Sequence, residues 1–228
     1  MNRVTANTAD PSQPSSSQPF SRPPAKLSGD WSAHIATTLD RLTFVLAGLD
    51  RQAWDAPSHC AQWRVRDVVG HILWRLGSNS RQLVSSGLGA ALTSAFKPNS
   101  AIAKIAIEVG AAPEAELLSG LEALSADKMA GIGRSTVVEL TEAVVHAYDI
   151  TDALQLPLRL SPRSTSAVAL SRLRVGGRNA KIARKRSLRA IDAGWQIGNG
   201  PALDATAQEI IMHLFGRTQL APDQQPAQ

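Results

Sequence analysis

At 228 residues, 43% apolar and 19% charged, the chain is long enough to bury a core, and its apolar content is ordinary for a soluble protein. Its single cysteine excludes an intrachain disulfide and a cysteine-rich metal site, and no stretch approaches the roughly 20 apolar residues that span a bilayer. The net charge of +5 is local: ten Lys and Arg lie between Arg159 and Arg189 with no acidic residue among them, whereas residues 1–158 carry 13 basic and 15 acidic side chains.

Residues 1–27 are rich in Pro, Ser and Gln, lack a signal-peptide apolar stretch, and are expected to be disordered. A reducing cytoplasm is the expected compartment. Order begins near Ser28 or Asp30, either of which suits a helix cap. Trp31, Ile35, Leu39, Leu42, Val45, Leu46 and Leu49 then recur every three or four residues, which predicts an amphipathic helix. After a turn-rich link, Val65, Val68, Val69, Ile72 and Leu76 mark a second helix over 65–85. Residues 86–112 are rich in small residues and read as a loop plus a short helix around 101–109. A third helix starts at Pro113, a residue suited to a first turn, and a fourth covers 135–154 after Gly131 and Gly133.

Four such helices predict a bundle over 28–157. Beyond Pro157 the pattern changes to a helix from Ser161, a strand over 187–192, a strand near Trp195, and a last helix from Asp204 to Phe215. The fold class is therefore α+β: a helical bundle followed by a small α/β C-terminal domain over 158–220, with 221–228 as a disordered tail.

The chemistry concentrates on Glu142 and His146, which lie one turn apart on the fourth helix. On a helical wheel Val138, Leu140, Val144, Val145 and Tyr148 form an apolar stripe, and Glu142, His146 and Asp149 cluster along its edge. On an isolated surface helix such a pair is a solvated couple. With His71 from the second helix it becomes a set of three protein ligands that leaves a coordination position open. Asp67, one turn before His71, and Asp149, three residues after His146, are placed to orient the two imidazoles. Spacing alone does not choose between these readings.

The segment Ser58-His-Cys-Ala-Gln-Trp-Arg-Val-Arg-Asp-Val-Val-Gly-His71 resembles the first motif of the mycothiol-dependent maleylpyruvate isomerase family, part of the DinB-like group of metal-binding helical bundles. Thr141 to Ile150 is similar to the second motif, and 190–201 and 209–217 to the family's small second domain. The resemblance implies that His71, Glu142 and His146 bind a divalent metal, zinc, with water or a thiol in the fourth place. It also implies that mycothiol, the small thiol of actinobacteria, is the cofactor. A coordinated thiol ionises readily; its sulfur would attack an electrophilic small molecule, in an isomerisation or a thiol transfer, which the ligands serve equally. Arg217, reaching from the second domain, is implied as a catalytic and cofactor-binding residue that receives an anionic group; its alternative role is a cation at a helix C-terminus.

Two other functions fit fewer features. A zinc-water hydrolase needs a general base, for which Asp149 and Asp67 are the candidates. A non-catalytic regulator would touch DNA through 159–189, but that segment lacks interleaved aromatics or a helix-turn-helix spacing; it reads better as a solvated face or an electropositive rim, and neither nucleic acid nor membrane is an expected partner. Cys60 is expected to be a small buried residue, Trp31 and Trp63 core, and His34, His59 and His213 structural or solvated.

Overall fold

The computed structural model describes residues 20–21, 27–78 and 98–220. The expected disorder of 1–27 and 221–228 falls largely outside them. Ser21 is an exception: its N–H donates to the Gly194 carbonyl at 2.8 Å and its carbonyl accepts from Gln196 N–H at 3.0 Å.

The first helix, α1 (Ser32–Leu46), has Trp31 rather than Ser28 or Asp30 at its N-cap position, and Asp30, one residue earlier, accepts from the Ser32 N–H through Oδ1 at 2.8 Å. A four-residue helix not foreseen from sequence, α2 (Arg51–Trp54), is capped by Asp50. Next comes α3 (Val65–Gly77), whose first turn is held by Asp67 accepting from the Arg64 N–H at 2.9 Å. Expected to run to residue 85, the helix ends at Gly77, with Ser78 extended; residues 79–85 lie outside the described residues. Helix α4 (Pro98–Gly110) is longer than the sequence suggested, and α5 (Glu114–Met129) follows Pro113. Helix α6 (Val137–Ala153) begins with a capping box: Thr136 accepts from the Val138 N–H, and Glu139 returns to the Thr136 N–H at 3.1 Å.

Helix α1 packs on α5 and α6, and α3 on α4, α5 and α6. The α3–α4 crossing brings backbone against backbone. A Cβ on Gly70 would lie 2.4 Å from the Ala106 carbonyl oxygen and 2.5 Å from the Gly110 nitrogen, so this close approach requires glycine on both helices. One residue along, His71 is thereby fixed in depth.

The C-terminal part contains α7 (Pro162–Val175), a 3-10 helix (Asn179–Arg184), three strands, β1 (Ser187–Ala190), β2 (Trp195–Gly198) and β3 (Ala202–Ala205), and α8 (Ala207–Leu214). The sheet order is β2-β1-β3, with β2 antiparallel and β3 parallel to β1. Asp204, expected in the last helix, lies in β3 opposite Arg189, whose guanidinium it pairs. The helix starts later because Thr206 is its cap, accepting from the Glu209 N–H.

Trp195 anchors a second core with Leu188, Ile197, Ile210 and Leu214, and its Nε1–H donates to Thr165 Oγ1 at 2.9 Å. Leu158, Leu160, Val168, Ile211 and Met212 pack instead into the core of α1, α3 and α6. The molecule is thus a helical array joined to a small three-stranded sheet, and among the described residues no helix is long and apolar enough to cross a membrane.

Candidate metal centre

Helix α3 contributes His71 and α6 contributes Glu142 and His146 to one buried point between them. Glu142 Oε2 lies 3.3 Å from His71 Nε2 and 3.3 Å from His146 Nε2. The two imidazole rings meet edge-on, 4.8 Å between centroids. The candidate ligand atoms of the three residues all lie within 4.8 Å of one another.

A tetrahedral zinc with ligand bonds of about 2.0–2.1 Å separates neighbouring ligand atoms by roughly 3.4 Å. The observed 3.3 Å separations match that edge and are also within the reach of long hydrogen bonds between the same groups. Two imidazoles and one carboxylate are a donor set suited to zinc and to several other divalent ions. The residues present fit such an ion.

Electrostatics agree with a convergent site. Burial alone would raise the Glu142 pKa, but hydrogen bonds from His146 and His71 outweigh it and hold the carboxyl far below its usual range. Arg75 adds positive charge, its Nε lying 3.5 Å from Glu142 Oε1. Burial lowers the His71 pKa, against the opposing pull of Glu142. Burial would lower His146 too, but its bonds with Asp149, Cys60 and Glu142 prevail and raise it well above the ordinary value.

The surroundings divide the expectations. Asp149 does contact His146, Oδ2 to Nδ1 at 3.0 Å. Asp67 does not serve His71: its carboxylate is engaged by the Arg64 backbone and guanidinium, and His71 Nδ1 is buried with no hydrogen-bond partner among the described residues. Val138, placed in the apolar stripe by the helical wheel, is 51% exposed, whereas Leu140, Val144, Val145 and Tyr148 of that stripe are buried. Arg217 does reach α6, where it meets Asp149: Nε to Oδ1 at 2.9 Å, Nη2 to Oδ2 at 3.1 Å.

Cys60 is buried and Trp63 packs partly buried against the core, as expected, and both also border the site. The Cys60 thiol is 2.9 Å from Asp149 Oδ2 and 3.5 Å from His146 Nδ1. Trp63 lies against both histidines, its ring centroid 5.0 Å from His71 and 6.3 Å from His146. Their only sequence signal is position in the loop that leads to His71. Cys60, His146 and Asp149 form a second group of possible ligands, but the Arg217 guanidinium already supplies the positive charge there.

The remaining histidines lie away from the triad: His34 contacts Ser164, His59 pairs with Asp152 at 2.7 Å, and His213 accepts from the Leu220 N–H. A cleft of about 740 Å³ opens one turn beyond Asp149 along α6, lined by His59, Asp152, Arg159, Thr206, Gln208 and Glu209.

No curated protein matches the sequence. Two solved structures, of the mycothiol-dependent maleylpyruvate isomerase and of a histidine-to-alanine mutant of it, are similar in shape. Each is 10% identical, with 82% of this chain and 88% of that chain covered and a TM-score of 0.48. The family match is confined to residues 35–131, a stretch that includes His71 and ends before Glu142 and His146. Over those residues the chain is similar to the family described as the mycothiol maleylpyruvate isomerase N-terminal domain.

Proposed function

We propose that the protein is a metal-dependent enzyme that uses mycothiol on a small electrophilic substrate, either isomerising it by reversible sulfur addition or keeping the sulfur adduct as a transferase. The observation that carries this reading is the convergence of His71, Glu142 and His146, with Glu142 Oε2 at 3.3 Å from a nitrogen of each histidine, in a chain whose 35–131 segment matches the isomerase N-terminal domain. Residues 28–157 form the metal-binding unit in this reading, with α1, α3, α5 and α6 as a four-helix bundle, and 158–220 form the second unit.

Bound divalent metal, zinc by preference, supplies a Lewis acid that lets a thiol ionise at neutral pH. The chain's own residues do the rest. His71, Glu142 and His146 present three donors from two helices and leave one side open. Asp149 accepts the His146 Nδ1 proton, so that Nε2 keeps its lone pair for the ion. Trp63 and Trp74 flank His71 and keep water from its faces. Arg217 offers the part of its guanidinium not turned to Asp149, on a side chain 27% exposed, to an anionic group of thiol or substrate.

A hydrolase is less well served. Its candidate bases are both engaged, Asp149 by Arg217, Cys60 and His146, and Asp67 by Arg64.

The test is an activity screen of the metal-loaded protein against electrophiles with and without mycothiol. Turnover is expected only with thiol and metal together, and His146→Ala is expected to lose the ion and roughly 100-fold or more of the rate while keeping its helix content. Thiol-independent ester or amide cleavage would replace this reading with the hydrolase. Metal-independent, salt-sensitive DNA binding without turnover would replace it with the regulator.

A further inference from the structure

Asp149 is wholly buried and accepts from three separate segments of the chain. Its Oδ2 receives His146 Nδ1 at 3.0 Å, the Cys60 thiol at 2.9 Å and Arg217 Nη2 at 3.1 Å, while Oδ1 receives Arg217 Nε at 2.9 Å. Two parallel N–H···O bonds from one guanidinium fix the plane of a carboxylate as well as neutralising it. A lysine would supply the charge without the plane.

The aim of Arg217 is itself built in. Helix α8 ends in a Schellman motif: the Gly216 N–H donates to the His213 carbonyl at 2.9 Å and the Arg217 N–H to Met212 at 2.8 Å. Gly216 takes φ +79°, a left-handed conformation that turns the chain back toward α6. Arg217 Nη1 then donates to the Phe215 carbonyl at 3.2 Å, bracing the guanidinium from behind.

We infer that Arg217 is a positioning residue for the metal ligand His146, acting through Asp149. The guanidinium fork holds the Asp149 carboxylate in one orientation. That carboxylate holds the His146 Nδ1–H, and Nε2 is left directed at Glu142 and His71. Cys60 adds a third, uncharged donor to the same oxygen. The C-terminal part of the chain therefore sets the metal affinity of a site whose three ligands all lie on α3 and α6. This rests on the proposed metal site, and goes beyond any contact of Arg217 with thiol or substrate.

The test measures zinc affinity of the full chain by competition with a chromophoric chelator, with no thiol or substrate present. Wild type, Arg217→Lys, Arg217→Gln, Asp149→Asn and the Arg217→Gln/Asp149→Asn double variant are compared, with circular dichroism on each. Loss of an outer contact of this kind weakens metal binding by about 10–100-fold, and that range is expected for Arg217→Gln and Asp149→Asn. The double variant should bind no more weakly than Asp149→Asn alone, because Arg217 acts only through that carboxylate. Should Arg217→Gln fail to fold, Arg217→Lys decides, since it keeps a cation beside Asp149 and gives up only the fork.

Wild-type zinc affinity in both Arg217 variants, or losses that add in the double variant, would overturn the inference. An Arg217 that contacts only substrate would raise KM and leave the zinc affinity unmoved. Absence of zinc binding by the wild type is a different result, which sinks the proposed function at the first titration.

Discussion

His146 carries opposite demands on its two nitrogens. In the ion-free protein its hydrogen bonds with Asp149, Cys60 and Glu142 outweigh burial and keep the ring protonated well above the usual histidine range. That shift adds stability to the ion-free form below about pH 6.5, and the contribution is lost as pH rises through the elevated value. His71 is shifted the other way by burial, so at neutral pH it is already the neutral imidazole that a metal needs. Zinc binding must therefore displace a proton from His146 and none from His71, and about one proton should leave per ion bound at pH 7. Calorimetric titration in two buffers of different ionisation heat measures that number; binding with no proton release and no pH dependence would contradict the assignment. At this scale the sequence was informative where chemistry is local. Glu142 and His146 are legible because four residues make one helical turn. The convergence of Cys60 and Arg217 on Asp149 is not, because separations of 89 and 68 residues leave no periodic trace.

The same contrast holds for whole elements. The long amphipathic helices α1, α3, α5 and α6 are visible in their apolar spacing, although α3 ends at Gly77 and not at residue 85. Strand β3 is not: four residues give too short a pattern, and its parallel pairing with β1 is decided by tertiary structure. Nor does spacing reveal why α3 and α4 carry Gly70 and Gly110. Replacing glycine by alanine inside a helix ordinarily stabilises by about 1 kcal/mol. At Gly70 the sign should reverse, since the new methyl would meet Ala106 and Gly110 backbone at 2.4 and 2.5 Å. Gly70→Ala is expected to destabilise by about 1–3 kcal/mol, the usual range for overpacking, in denaturant unfolding of the ion-free protein. A neutral or stabilising result would mean that the helices do not cross this closely, and that His71 is not fixed by that crossing.

Over the whole molecule the C-terminal part is joined to the helices by both packing and charge. Leu158, Leu160, Val168, Ile211 and Met212 share the core of α1, α3 and α6, and Arg217 returns to neutralise a carboxylate buried in α6. A shift in composition after Pro157 marks where the architecture changes, but composition holds no record of which faces then meet. The local excess of positive charge is likewise partly engaged within the chain: Arg172 stacks on Phe215 and Arg163 on Trp31, while Arg189 pairs with Asp204. The proposed function makes this joined structure a frame for one open-sided ion. X-ray absorption at the zinc edge, recorded on the metal-loaded full chain before and after adding mycothiol, tests that most directly. One ion per chain bound by nitrogen and oxygen donors, with a sulfur neighbour appearing at about 2.3 Å on adding the thiol, is the expected result. An unchanged nitrogen and oxygen shell, or an ion retained in full after His71→Ala, would contradict it.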